Sequence, residues 1–254
     1  MLAQSFSLRA AGRTVSHFSL ANYENFLLGA NGVYVKALLN SVEVALAVTV
    51  LSVLIAYPLA YVLAYRVPAR WQRLLLLLIV LPFWTSYVIR SYAWLLVLSE
   101  KGVLNQALLA LGVLDAPLGL GNSRGATVLG FVHFFVMLLT LTIYANLLQI
   151  RDSYRKAAAD LGASPAQVFL RVTLPLSLPG VAVGAFLTFV ICIGDYITPQ
   201  ILGGSRELLL PQAIMLQVGR LADFPMASAL SMVLMLVVTA AFLLFARHLR
   251  MEGL

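Results

Sequence analysis

Five long runs of apolar residues, separated by short polar segments, dominate the pattern along this chain. A hydrocarbon core about 30 Å thick is crossed by about 20 helical residues rising 1.5 Å each. Runs of that length predict five membrane spans, at about 44–65, 74–97, 126–150, 176–200 and 227–246. The first is the clearest, because AVTVLSVLIAYPLAYVLAY carries no charge and a single proline, Pro58, which transmembrane helices tolerate. The pattern therefore predicts an all-α, polytopic membrane helix bundle.

The composition agrees with a membrane protein. Of the 254 residues, 61% are hydrophobic and 11% are charged, whereas soluble domains are roughly 45–50% apolar. The net charge of +7 comes from basic residues dispersed between the runs, which argues against the basic stripe of a nucleic-acid-binding protein. The single cysteine, Cys192, is interpreted as a small packing residue. No sequence period of 20–50 residues is visible, so we predict one domain over residues 1–254.

The distribution of basic residues predicts the topology. Arg66, Arg70 and Arg73 lie in the short segment after the first run, and the positive-inside rule places such a segment in the cytoplasm. Alternation then puts 98–125 and 203–226 outside, and it puts 151–175 and the C-terminus inside.

The N-terminal segment, Met1 to about Leu38, is thereby left outside with no span or signal peptide to carry it across. One interpretation is that a preceding helix is missing from this chain. The other is a five-span protein whose outer N-terminal tail is short enough to cross unaided.

The polar segment between the third and fourth runs predicts two short helices. Asp152 or Ser153 can cap the first, and Gly162 is placed to end it. Ser164 followed by Pro165 predicts a second helix start, and that helix is expected to end before Pro175.

The second of these helices has an apolar face formed by Val168, Phe169 and Val172. We expect this ridge to be exposed. By physical reasoning alone, it could dock onto a partner protein or lie in the lipid headgroup layer.

The same segment resembles the cytoplasmic loop of binding-protein-dependent ABC importer permeases. Their pattern runs Glu-Ala-Ala, three residues, Gly, nine residues, an aliphatic residue, one residue, Leu-Pro. This chain matches it with Ala157, Ala158, Gly162, Val172, Leu174 and Pro175. The resemblance implies that 151–175 is a coupling loop that docks into a groove of a separate ATPase subunit. The residues expected to form the docking loop are Lys156, Ala157, Ala158, Asp160, Gly162, Ala163, Phe169, Val172, Leu174 and Pro175.

Lys156 departs from that pattern, since it stands where the family usually has glutamate. A lysine near a helix start opposes the helix dipole, although Asp152 and Asp160 lie one turn to either side. Our hypothesis is that the partner ATPase carries an acidic residue where its relatives carry a basic one.

Other stretches resemble the spermidine/putrescine type of these permeases, namely FSLANYENFL, LPFWTSYVIRSYAWLLVLSEKGVLNQALLALG and GDYITPQILGG. The resemblance covers the chain from about residue 18 onward and implies a type I ABC importer permease fold whose first span is not seen here. It implies a multi-pass protein of the bacterial inner membrane. The implied partners are ABC ATPase subunits, a second permease subunit, an extracytoplasmic solute-binding protein, membrane lipid and a small-molecule substrate. ATP would be hydrolysed by the partner, and no cofactor is expected on this chain.

Four residues are candidates for the translocation path: Asp195, Tyr196, Trp84 and Tyr87. An ionisable group in an apolar run usually faces a cavity or a partner, so the Asp195 carboxylate could meet a cationic amine. It could equally cap the irregular stretch that follows it. The aromatic rings could stack on an amine or serve as packing anchors.

Gly180 and Gly184 form a small-xxx-small step that permits close helix crossing. This step suits an interface with a second permease, and it suits packing within the chain as well.

Other functional classes find little support in the sequence. There is no P-loop, no HExxH and no cysteine cluster, and His17, His133 and His248 are scattered. An intramembrane enzyme would need ionisable residues gathered at one depth. A secondary transporter would be expected to show inverted repeats and broken helices in matching halves. Neither of these two features is visible in the sequence.

Overall fold

The computed structural model describes residues 1–10, 13–15, 18–204 and 207–251. In chain order the helices are α1 (Leu2–Ser5), α2 (Ala21–Leu28), α3 (Val33–Tyr65), α4 (Ala69–Val80), α5 (Tyr87–Leu98), α6 (Val103–Ala110), α7 (Arg124–Gln149), α8 (Asp152–Asp160), α9 (Pro165–Val168), α10 (Leu174–Gly194), α11 (Ile197–Leu202), α12 (Leu210–Gly219) and α13 (Phe224–Met251). The predicted helical class is confirmed.

Two short strands, β1 (Leu8–Ala10) and β2 (Arg13–Val15), pair antiparallel near the N-terminus and were not expected in an all-α chain. Strands of three residues carry too little alternation of polar and apolar positions to be read from a sequence.

Among the residues that the structure describes, four continuous helices are long and apolar enough to cross a membrane: Val33–Tyr65, Arg124–Gln149, Pro165–Gly194 and Phe224–Arg247. They correspond to the first, third, fourth and fifth predicted spans. The first begins at Val33 rather than at about residue 44. A charge such as Lys36 ends an apolar run in the sequence without interrupting the backbone hydrogen bonds of a helix.

The second predicted span, 74–97, is broken. Helix Ala69–Trp84 and helix Tyr87–Ala110 meet at an angle of 92°. The first of them ends in a 3₁₀ turn, Leu81–Trp84, and Thr85 is extended, with its hydroxyl donating to the carbonyl of Pro82. Proline supplies no backbone N–H and disfavours the helical conformation before it. The second predicted span is therefore bent and is not one straight helix.

The fourth predicted span, 176–200, is shorter at its far end. The helix stops at Gly194, and a new helix, α11, begins at Ile197.

The chain forms two compact units, each built from separated segments. The first unit comprises Met1–Leu46, Val88–Gly130 and Val190–Leu254, and the second comprises Ala47–Tyr87 and Phe131–Phe189. The expectation of one domain stays a prediction.

In the second unit, α3 packs against α7 and α10 around a buried cluster that includes Ala60, Ile143, Leu147 and Val181. Two buried clusters lie in the described part of the first unit. One gathers Phe26 with Leu210 and Leu230, and the other gathers Leu98 with Leu202. Cys192 is also buried in the first unit, in agreement with a packing role.

Gly180 and Gly184 pack within the second unit. A Cβ atom on Gly180 would lie 2.3 Å from the Asn146 side chain, and one on Gly184 would lie 2.9 Å from Leu139. Of the two roles open to this small-residue step, internal packing between α10 and α7 is the one observed.

Candidate functional site

The segment between α7 and α10 begins with α8. Its N-cap is Arg151, and no side chain caps it, so the prediction that Asp152 or Ser153 would do so is wrong. Asp152 is instead the first helical residue, where a carboxylate suits the positive end of the helix dipole. Its Oδ1 atom lies 3.2 Å from Nη1 of Arg155.

The end of α8 is set by Gly162, as predicted. Gly162 adopts a φ of 85°, which glycine tolerates and other residues rarely do. The amide of Gly162 donates to the carbonyl of Ala159, and the amide of Ala163 donates to that of Ala158. These two bonds form a Schellman motif, which satisfies carbonyls at the end of the helix.

The start of α9 also follows the prediction. Ser164 is the N-cap, Pro165 is the first helical residue, and a reciprocal capping box links Ser164 to Gln167. The amide of Gln167 donates to Ser164 Oγ over 3.4 Å, and the amide of Ser164 donates to Gln167 Oε1 over 2.8 Å.

This second helix does not end before Pro175, as was expected. It runs through a π-helical turn, Phe169–Thr173, into α10. A wider turn of this kind lets the helix continue although Pro175 has no backbone N–H to donate. The short helix and the span are consequently one continuous helix from Pro165 to Gly194.

The expected exposed ridge of Val168, Phe169 and Val172 is not exposed. All three side chains are partly buried. The ring of Phe169 packs edge-on against Tyr61, with 5.1 Å between ring centroids, and against Tyr57 at 6.0 Å. It anchors the segment to α3, and its place in the docking loop stays a prediction.

Other apolar side chains of the segment are exposed instead. Leu161 is 89% exposed and Leu170 is 58% exposed. Sequence reasoning missed Leu161, although its place just before a helix-ending glycine, away from the apolar face, was a signal that it could point outward.

The remaining predicted loop residues divide by exposure. Lys156, Ala157, Asp160, Gly162 and Pro175 are exposed, whereas Ala158, Ala163 and Leu174 are partly buried. Leu174 packs against the core of the second unit.

A cleft of about 400 Å³ lies beside α8 in the second unit. We call it the basic cleft, and its polar and aromatic lining consists of Tyr61, Tyr65, Arg66, Asp152, Arg155 and Lys156. The guanidinium carbon of Arg155 lies 3.8 Å from the centroid of the Tyr65 ring. The Tyr65 hydroxyl in turn donates to the carbonyl of Leu147 over 2.9 Å.

The predicted path residues Asp195 and Tyr196 lie in the first unit. Asp195 accepts hydrogen bonds from the amide of Ile197 over 2.8 Å and from the hydroxyl of Thr198 over 3.3 Å. It thus caps the start of α11, which was one of its two expected roles. Tyr196 is 37% exposed.

Tyr196 lines a cavity of about 550 Å³ in the first unit. The other polar lining residues are Gln200, Glu207, Gln212 and Arg220. We call it the first-unit cavity.

Trp84 and Tyr87 lie in the second unit, so their surroundings differ. Trp84 is 87% exposed and borders an apolar pocket of about 200 Å³ with Phe83 and Met137. The Tyr87 ring packs edge-on against Phe134, with centroids 5.1 Å apart.

The first unit contains a cluster of ion pairs that the sequence analysis did not predict. Arg124 Nη2 lies 2.8 Å from Glu43 Oε2, and Arg124 Nε lies 3.5 Å from Glu207 Oε2. Glu43 remains largely solvated, with 69% of its side chain exposed. The three residues are distant in sequence, so no local pattern indicates their pairing.

Metal binding finds no support in the part of the chain that the structure describes, where no group of three or more metal-ligating side chains occurs. His133 is partly buried in α7. His17 and the side chain of His248 lie outside the described residues.

Residues 39–251 match the family described as binding-protein-dependent transport system inner membrane component. The chain belongs to this family, and it is therefore a transport component of ABC permease type. Membership in this family favours a transport subunit over the two rival classes, an intramembrane enzyme and a secondary transporter.

Among named relatives, the spermidine/putrescine transport system permease protein PotB of Escherichia coli is 33% identical over 234 residues, covering 92% of this chain and 84% of that protein. The molybdenum transport system permease protein ModB of Mycobacterium bovis is 38% identical over 208 residues, covering 81% of this chain and 75% of that protein.

Among solved structures, a chain of a bacterial alginate ABC transporter, in complex with a periplasmic protein, superposes with a TM-score of 0.71. The two are 17% identical, and the match covers 90% of this chain and 81% of that one. The fold is that of ABC importer permeases.

Proposed function

We propose that this protein is the permease subunit of an ATP-driven importer of polyamines such as spermidine and putrescine. It would pair with a second permease subunit, receive solute from an extracytoplasmic binding protein and be driven by ATPase subunits that hydrolyse ATP. It would reside in the bacterial inner membrane with a cytoplasmic C-terminus. The relatives named for spermidine/putrescine transport support the substrate class.

The observation that carries the proposal is the build of segment 151–175. It is a helix, a glycine-stopped turn and a second capped helix start, and it exposes the apolar side chain of Leu161.

The segment is also suited to transmit movement. Its second half is part of one helix that continues to Gly194, and Phe169 ties that helix to α3. A displacement of α9 by an attached ATPase would therefore pass to α10 along one helix backbone, with the π-helical turn and the prolines at Pro175 and Pro179 as the places where that helix can bend. Such a movement would open and close the substrate path.

The first-unit cavity is the proposed meeting place with the amine. Its volume of about 550 Å³ lies within the range of roughly 300–1,000 Å³ typical of small-molecule sites. Tyr196 offers an aromatic face and Glu207 a carboxylate, and both attract ammonium groups. Asp195 would position Tyr196 through its cap on α11. Trp84 and Tyr87 stay predictions as path residues.

A second candidate is import of a different solute, which the 38% identity to the molybdenum permease favours. The first-unit cavity carries a guanidinium, Arg220, as well as a carboxylate. The lining of the cavity is thus compatible with a positively charged solute and with a negatively charged one.

The test is uptake of radiolabelled putrescine and spermidine by cells that lack their own polyamine importers and express this chain together with an ATPase subunit, a second permease subunit and a binding protein of its importer. We expect uptake that saturates, that depends on the ATPase and that excess molybdate leaves unchanged. Uptake of molybdate without polyamine uptake would overturn the substrate assignment.

ATPase docking is tested by Leu161→Asp. The matched control is Leu111→Asp, because Leu111 is 76% exposed and precedes Gly112, which has a φ of 68°. Leu111 thus occupies the same kind of helix end on a segment that is predicted to lie outside. We expect Leu161→Asp to release the ATPase during purification and Leu111→Asp to retain it. Equal behaviour of the two variants would contradict docking at this segment.

A further inference from the structure

The basic cleft has an excess of positive charge. Arg66, Arg155 and Lys156 face one carboxylate, Asp152, which leaves two positive charges in excess. Asp152 already pairs with Arg155. Any group that enters the cleft and contacts Lys156 or Arg66 is therefore favoured if it carries negative charge.

Arg155 lines the cleft, and its guanidinium is held in a fixed position. Its guanidinium stacks on the Tyr65 ring at 3.8 Å, and the Tyr65 hydroxyl is itself fixed by its bond to Leu147. Only 26% of the Arg155 side chain is exposed, and its buried Nε atom has no hydrogen-bond partner among the residues described. A guanidinium offers five N–H donors, so this one retains donors for an incoming acceptor without giving up Asp152.

Lys156 is exposed and lines the same cleft as the Arg155 guanidinium. In the coupling-loop pattern that this segment follows, a glutamate stands at this position. A groove that offers a basic group to such a glutamate would be repelled by Lys156 and by the excess charge beside it. The groove that accommodates this chain has to present the opposite charge.

We propose that the basic cleft receives an acidic side chain of the ATPase subunit, an aspartate or glutamate that pairs with Lys156 and Arg155. This inference rests on the proposed function, since it takes segment 151–175 as the docking site. The cleft is lined by α8 of that segment and by the end of α3, at Tyr65 and Arg66. The residues that pair with the acidic side chain, Lys156 and Arg155, lie on α8, and Arg66 adds a further positive charge to the lining.

An anionic lipid headgroup is the other occupant that this charge could attract. The structure favours the ATPase side chain over the lipid headgroup, because α8 has no buried residue and its sequence, DSYRKAAAD, is mostly polar or small. A helix that lies in the headgroup layer carries an apolar stripe of large side chains, and Tyr154 is the only large apolar side chain on α8. The helix is built to stand in water or against a polar partner.

The experiment measures binding of the purified ATPase subunit to the assembled permease complex in nanodiscs, together with ATPase stimulation. We expect Lys156→Glu to weaken binding by about tenfold or more and to flatten its dependence on salt, since screening acts on exposed charges. Changing the acidic residues of the ATPase groove to lysine, one at a time, should identify one position whose reversal restores binding to Lys156→Glu.

Two control variants keep the charge change but leave the cleft intact. Arg70→Glu alters an exposed basic residue of the same predicted cytoplasmic surface, and Lys101→Glu repeats the same substitution on a segment predicted to lie outside. Both should bind the ATPase as the unmodified chain does. Equal weakening by Arg70→Glu would overturn the proposal, because a general surface charge would then explain the effect.

Lipid composition provides the last arm. Binding to the ATPase should be the same in nanodiscs of phosphatidylcholine and in nanodiscs containing phosphatidylglycerol. If the effect of Lys156→Glu appears only with phosphatidylglycerol, the cleft binds lipid and the proposal is wrong. If Leu161→Asp releases the ATPase while Lys156→Glu does not, the charge pairing fails and the proposed function stands. If neither variant matters, docking at this segment fails as well.

Discussion

Replacing Gly180 with alanine tests the close approach of α10 to α7. The added Cβ atom would lie 2.3 Å from Cγ and Nδ2 of Asn146 and 2.8 Å from its Cβ. Carbon atoms normally pack at about 3.5–4.0 Å. Rotating the Asn146 side chain can move its Cγ and Nδ2 atoms away, but it leaves its Cβ in place. Relief therefore requires the two helices to separate by about 1 Å.

The expected cost follows from two opposing effects. Overpacking costs about 1–3 kcal/mol, and the fixed Asn146 Cβ places this site in the upper half of that range. Alanine recovers up to about 1 kcal/mol over glycine in a helix. The net loss of about 1–2 kcal/mol should lower the melting temperature by roughly 2–8 °C in a chain of this size.

The assay is thermal unfolding of the purified chain in detergent, followed by size-exclusion chromatography. Gly194→Ala is the control, because nothing lies within 4 Å of its added Cβ and it stands in the same helix. It should melt no lower than the unmodified chain. The single variant Asn146→Gly removes the obstructing atoms but itself costs about 1 kcal/mol as a glycine inside a helix. Adding Gly180→Ala to that variant should cause no further loss of stability, as expected for directly coupled sites. A Gly180→Ala chain that melts at or above the unmodified temperature would refute the close-packing argument.

Three further predictions concern the functional segment and the cavity. Ser164→Ala removes the side-chain half of the capping box and should destabilise α9 by about 1 kcal/mol, which hydrogen exchange would register as faster exchange of the Gln167 amide; unchanged exchange would show that the cap contributes nothing. Tyr196→Ala should raise the KM for putrescine uptake several-fold while Tyr196→Phe preserves it, since the aromatic face attracts the amine, and equal effects of the two variants would assign the role to the hydroxyl. Glu207→Gln should raise that KM about tenfold, whereas Glu43→Gln, which breaks the shorter ion pair to Arg124 but does not line the first-unit cavity, should not; similar losses in both would indicate that the ion pairs serve only stability.

Features that depend on neighbours within one helical turn could be predicted from the sequence. The third and fifth spans follow from uninterrupted apolar runs, and their limits agree with α7 and α13 to within a few residues. Gly162 as a stop and Ser164 as a start also follow, because the groups that satisfy a helix end come from the same few residues. Gly162 is also one of the positions on which the family resemblance of the 151–175 segment rests.

The bend in the second predicted span could not be placed in this way. Its residues are as apolar as those of a straight span, and proline in a membrane helix is compatible with either outcome. Whether the chain continues or turns by 92° depends on what the two halves pack against.

The orientation of Phe169 was likewise decided by tertiary structure. Helical spacing placed it on an apolar face, but the rings of Tyr57 and Tyr61, more than a hundred residues earlier, determine that this face turns inward. Glu43, Arg124 and Glu207 meet for the same reason. The sequence by itself determined where helices form, because backbone hydrogen bonds and caps are local, and only the tertiary structure decided which side chains meet, because burial and charge pairing act between residues that are distant in the chain.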